Sequence, residues 1–148
     1  MNQIFVFGSN LAGRHGAGAA RTARLFHGAV YGEGEGRTGN AYAIPTLDAN
    51  FGKLQLYRIH AAVNEFVEYA VAHPELTFFV TRIGCGLAGF PDSLIAPMFK
   101  NVPSNCMMAI EWKPYLDDNV AVTFYIWDER TEEVQIRPPS IHHVPENT

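Results

Sequence analysis

Apolar positions in this chain come in short runs whose period changes along the sequence, with glycine, proline and polar clusters between them. Residues 3–7 (Gln-Ile-Phe-Val-Phe) read as a buried strand that ends at Gly8, Ser9 and Asn10. From Gly16 to His27 the pattern turns helical, with Ala19, Ala23 and Phe26 on one stripe and Gly28 as the stop. Residues 32–40 carry four glycines and read as a flexible loop, and residues 42–46 (Tyr-Ala-Ile-Pro-Thr) read as a short strand. There Pro45 marks the strand's end or an edge position. A longer helix spans about 54–72, with Ile59, Val63, Phe66 and Ala70 on its apolar face, and Pro74 stops it. Residues 76–83 give the strongest strand signal, followed by a glycine-rich turn at 84–89 and a helix from Pro91 to about Lys100. Residues 106–110 and 121–127 read as further strands, and an irregular tail begins at Pro138.

Strands alternating with helices predict an α/β fold: a mostly parallel mixed sheet with helices on both faces, as a three-layer α/β/α sandwich. The 148 residues suit one domain, and neither an internal repeat nor a linker interrupts them. A composition of 47% hydrophobic and 18% charged residues is that of a globular chain. No apolar run approaches 18 residues and no basic leader precedes the first strand, so a cytoplasmic protein without a membrane partner is expected. The net charge is −4 and the 11 lysines and arginines are dispersed, which argues against nucleic-acid binding. Cys85 and Cys106 form no CxxC pair, and the histidines, including the His142-His143 doublet, lack zinc-ligand spacing. Neither a metal nor a cofactor is expected.

Two glycine-rich segments, Gly8–Gly18 and Gly84–Gly89, each follow a buried strand and open a helix. In a parallel α/β sheet such loops lie together at the carboxyl edge. They would offer unpaired helix N-terminal N–H groups, with glycines admitting close approach, and so suit a diphosphate. Residues 84–89 also match GxGxxG, with Glu111 near the place of the acidic partner of a dinucleotide site, but the chain is short for a dinucleotide fold plus a substrate domain. Residues 34–39 match the same pattern ahead of a strand, where it has no such mechanism. No GxxxxGK[ST] is present.

Asn10 with the run Gly13-Arg14-His15-Gly16-Ala17-Gly18-Ala19-Ala20 resembles the first loop of macrodomains, the ADP-ribose-binding superfamily. The run from Arg82 to Leu87 is similar to the second diphosphate loop of its terminal ADP-ribose protein glycohydrolase branch. Residues 8–10, 42–46 and 81–90 look most like small macrodomain-like proteins of bacteria and phages, and the resemblance covers about residues 3–100. It implies a macrodomain-like fold and a ligand site formed by Gly8, Ser9, Asn10, His15, Gly16, Gly18, Gly84, Cys85, Gly86, Leu87, Ala88, Gly89 and Phe90. In it Asn10 would hold the distal ribose, Gly16 and Gly18 would admit the backbone, the N–H groups of residues 84–88 would cradle the diphosphate, and Phe90 would pack on the ribose. Three departures stand out. The catalytic Asp that follows Gly-Cys-Gly-Leu in the branch is Ala88 here, and the Lys after the second strand is replaced by Leu47 and Asp48. The family's earlier strand, with its adenine-reading Asp, has no counterpart ahead of Gln3.

The expected function is therefore binding of ADP-ribose or a related ribonucleotide metabolite, free or on an ADP-ribosylated target. The alternative is a hydrolase of ADP-ribosyl linkages or ADP-ribose phosphate esters, with His15 or Asp92 as acid or base and water as nucleophile. An assembly protein that reuses the fold is a third class; the oligomeric state is not legible. Each candidate also has a plainer reading. His15 is then a loop side chain that merely hydrogen-bonds or faces solvent, Arg14 a solvent-exposed one, Cys85 a small buried residue in a tight loop, and Asp92 a helix cap. Glu33 and Glu35 either close over the cleft or sit in a solvated loop. Trp112, Tyr115, Tyr125 and Trp127 either form an aromatic surface for a base or pack near the last strand.

Overall fold

A computed structural model describes residues 3–128, 130–131 and 133–139. Seven strands form one sheet in the order β2-β3-β1-β4-β5-β6-β7. They are β1 (Gln3–Asn10), β2 (Gly36–Thr38), β3 (Ala41–Leu47), β4 (Thr77–Val80), β5 (Cys106–Ala109), β6 (Thr123–Asp128) and β7 (Glu133–Arg137). The five from β3 to β6 are parallel, and β2 and β7 close the two ends antiparallel. The helices are α1 (Gly18–Phe26), α2 (Leu56–Ala72), α3 (Asp92–Ile95) and α4 (Lys113–Leu116), with 3-10 turns at Ala96–Phe99 and Ile110–Trp112. This is the α/β class with a mostly parallel sheet that the sequence pattern predicts. Among the described residues no helix is long and apolar enough to cross a membrane.

The two-residue period of the strands divides the core between the sheet's faces. Ile4, Val6, Tyr42, Ile44, Phe78 and Val80 point into the larger core with Ile59, Val63 and Phe66 of α2. Phe7, Ala41 and Ala43 point the other way, onto Ala20 and Ala23 of α1. The stripe expected on α1 is rotated: Ala20, not Phe26, joins Ala23 in the core, and Phe26 is 75% exposed. The small residues on both sides, Ala41 and Ala43 of the strand and Ala20 and Ala23 of the helix, let the two elements pack closely, and His27 stacks on Phe5 with ring centroids 4.4 Å apart. Gly28, at φ +78°, ends the helix as expected.

Other boundaries shift for local reasons. The expected loop at 32–40 is anchored rather than flexible: β2 pairs with β3, Ser9 Oγ donates to the Gly34 carbonyl, and Glu35 pairs with Arg58 at 2.9 Å. Its glycines serve close approach, since a Cβ on Gly34 would lie 2.2 Å from the Asn10 carbonyl oxygen. Pro45 sits inside β3, where β2, which reaches only Ala43, no longer asks for an N–H. The helix expected at 91–100 divides at Ala96 into α3 and a 3-10 turn, because Pro97 has no N–H to give. β7 has no counterpart among the expected strands, although Glu133-Val134-Gln135-Ile136-Arg137 alternates as a strand should. The His142-His143 doublet and most of the expected tail lie outside the described residues.

Candidate functional site

The order β3-β1-β4 sets the carboxyl ends of three parallel strands side by side. The chain leaves β1 for β3 through α1 on one face and returns to β4 through α2 on the other, so the connections diverge at β1. Such a divergence opens a crevice at the carboxyl edge. A cavity of about 960 Å³ lies there, walled by the loop after β1, the turn after β3 and the loop after β4.

Residues 11–17 form the first wall. Asn10 is buried and its amide clamps the loop, Oδ1 accepting from the Arg14 N–H and Nδ2 donating to the Arg14 carbonyl, both at 3.0 Å. Gly13, at φ +69°, allows the loop to touch residues 32–33: a Cβ there would lie 2.3 Å from the Gly32 carbonyl carbon. The clamp exposes the backbone beyond it. The N–H groups of Gly16 through Ala20 have no hydrogen-bond partner among the described residues, as a helix start without a capping side chain leaves them.

The second wall is built alike. Gly84, at φ +75°, packs between Thr46, Phe90 and Ile95, and β1 comes close enough that a Cβ on Gly8 would lie 3.2 Å from the Gly84 nitrogen. Phe90 N–H closes the loop on the Gly84 carbonyl at 2.8 Å, and Gly89 N–H donates to Gly86 at 3.0 Å. Between these bonds the N–H groups of Gly86, Leu87 and Ala88 have no partner among the described residues. Leu87 reaches across the opening to Gly18, so the two loops meet side chain to backbone without filling the space between them.

Of the expected ligand residues, Gly8, Ser9, Asn10, Gly16, Gly18 and Gly84–Ala88 line this cavity, and His15, Gly89 and Phe90 do not. His15 is fully buried beneath its loop, edge-on to Phe7 at 5.2 Å, with Nε2 donating to the Glu33 carbonyl. It is a buried side chain outside the cavity lining, and its Nδ1 has no hydrogen-bond partner among the described residues. Phe90 packs on the larger core and carries the Lys53 ammonium 5.0 Å from its ring centroid.

Asp92 also stands apart. Both its oxygens are taken: Oδ1 accepts from Arg82 Nε at 3.1 Å and from the Trp112 indole at 2.7 Å, and Oδ2 accepts from Arg82 Nη2 at 2.6 Å. The Arg82 hydrogen bonds hold its carboxyl below the usual carboxylate range against the opposing effect of burial. It is an ionised anchor, not a proton donor to the cleft. Burial, with Asp92 alongside, pushes the Cys85 thiol up to about 12, which leaves it a neutral wall residue.

Glu33 and Glu35 do not line the cavity. The four aromatics form no common surface: Trp112 is in the larger core, Tyr125 is buried on Phe79, and Tyr115 and Trp127 are exposed.

Sequence reasoning missed the turn after β3. Asp48 Oδ1 accepts the N–H groups of Asn50 and Gly52, and this turn folds the chain back so that Lys53 pairs with Leu47. Lys53 thereby reaches a cavity whose wall, judged by position after the strand, held only Leu47 and Asp48. Asp-Ala-Asn-Phe-Gly is a legible turn signal, but its register decides which residue is delivered. Arg14, Lys53 and Arg82 are the charged residues of the lining, and no carboxylate is among them. Arg82 is committed to Asp92, whereas Arg14 and Lys53 have no carboxylate partner among the described residues.

Comparison of the chain with family models, with curated proteins and with solved structures finds no match.

Proposed function

We propose that this protein binds ADP-ribose or a related ribonucleotide metabolite, with the diphosphate held between the two glycine loops. One observation carries the reading: two sets of unpartnered backbone N–H groups and two uncommitted cations share a cavity whose described lining has no carboxylate. In a chain of net charge −4, that local excess of donors and positive charge suits an anion. A volume of about 960 Å³ is at the upper end for small-molecule sites and accommodates a nucleotide with its sugar.

The amides of Gly86, Leu87 and Ala88 would face one phosphate and those at the start of α1 the other, with Lys53 and Arg14 at the rim. The macrodomain resemblance of the loops agrees with this reading. Binding is favoured over hydrolysis because His15 and Asp92 are held away from the cavity by their own partners. Asn10, already clamping its loop, retains one amide hydrogen and one lone pair for a sugar hydroxyl.

Isothermal titration calorimetry and thermal shift with ADP-ribose and ADP test the proposal. A one-to-one heat and a concentration-dependent rise in Tm are expected. Absence of both at millimolar ligand would overturn it.

A further inference from the structure

Phe51 is the one non-glycine residue with positive φ among those described, at +67°. A bulky side chain there is an outlier. It lies between Asn50 and Gly52, two residue types that adopt the left-handed region with little strain, yet phenylalanine occupies it. Nor does the ring repay the strain by burial: Phe51 is 49% exposed and lines the cavity. The Arg14 guanidinium carbon stands 5.9 Å from its centroid, so a flat hydrophobic face and a cation meet at one corner of the cleft. Strain kept in an exposed wall residue is the mark of a side chain retained for what it touches rather than for the fold.

We propose that the Phe51 ring is a stacking platform for a planar heteroaromatic ring, so that the preferred ligands of the cleft are diphosphates bearing a nucleobase-like group at one end. This deepens the diphosphate reading and rests on it. The ring supplies a face that stacks on any base, and Arg14 beside it holds the first charged oxygen beyond the base. Selectivity for ring-bearing ligands over bare diphosphate then resides in residue 51, and affinity for the diphosphate resides in the amides.

The test compares ADP with inorganic pyrophosphate on the full chain, unmodified and as Phe51→Asn and Phe51→Trp. The wild type is expected to bind ADP at least fivefold tighter than pyrophosphate. Phe51→Asn should lower that ratio by roughly fivefold or more, and Phe51→Trp should keep it. Phe51→Asn should also leave Tm unchanged or raise it, because asparagine accepts the left-handed conformation. Pyrophosphate binding without preference for ADP would overturn the platform and leave the diphosphate reading standing. Binding of neither ligand would overturn the diphosphate reading and the platform with it. A Tm loss in Phe51→Asn above about 4 °C would show that the ring serves the fold instead.

Discussion

Replacing Asp92 separates the scaffold of this cleft from its chemistry. In Asp92→Ala the Trp112 indole N–H, fully buried, loses its acceptor, which costs about 1–3 kcal/mol. The Arg82 ion pair adds little: the Arg82 side chain is 42% exposed, so screening limits the pair to about 0–1 kcal/mol. The sum, about 1–4 kcal/mol, corresponds to roughly 3–12 °C in Tm for a chain of this size. Asp92→Asn keeps an oxygen for Trp112 and should lose less than half as much. The Asp92 pKa is depressed in the fold, so its stabilisation is present above the ordinary carboxylate pKa and disappears as the pH falls through the lower, folded value. The stability gap between wild type and Asp92→Asn should therefore be full at pH 7 and shrink below about pH 4. The same substitutions release Arg82, a residue of the cavity lining. Pyrophosphate should bind Asp92→Asn more tightly than wild type, with a steeper dependence on salt. Urea denaturation between pH 3 and 7, with calorimetric titration of pyrophosphate at two ionic strengths, measures both halves. Equal losses in the alanine and asparagine variants, or weaker anion binding in the less stable protein, would show that Asp92 neither serves Trp112 as acceptor nor restrains Arg82.

Three further substitutions probe the walls. Lys53→Ala removes an uncommitted cation and should weaken pyrophosphate by about 1 kcal/mol, roughly fivefold, and flatten its salt dependence in the same titration. Gly86→Asp places a carboxylate among the unpartnered amides, where a Cβ meets nothing within 4 Å; Tm should move by under about 2 °C, while pyrophosphate affinity falls at least tenfold by calorimetry. Gly13→Ala forces a Cβ to 2.3 Å from backbone at a left-handed φ, so chemical denaturation should report a loss of about 3 kcal/mol or more.

How much could be read beforehand follows from the range of the interactions. Gly8–Gly18 and Gly84–Gly89 are local signals after strong strands, and a parallel sheet brings such loops to one edge whatever the details. The alternation in β1 and β3 and the apolar face of α2 are equally local, and the structure follows them. Side-chain direction inside the loops is not local. His15 turns inward because Phe7 and the Glu33 carbonyl receive it from 8 and 18 residues away. Asp92 is consumed by Arg82 and by Trp112, 20 residues on, a pairing that exists only once the Ile110–Trp112 turn packs beside α3. Lys53 depended on a turn whose register is set by two hydrogen bonds to one carboxylate oxygen. The positions of the glycine walls were thus legible, and the identity of the charged residues between them was not.

If amides of two loops act together on one anion, a nitrogen–proton correlation spectrum of the labelled chain reads those amides one by one. On titration with pyrophosphate, the resonances of Gly16, Gly18, Gly86, Leu87 and Ala88 should shift together and saturate at one common concentration, while those of Gly32 and Gly34 stay in place. Shifts confined to one loop, or scattered over the surface without saturation, would contradict the account.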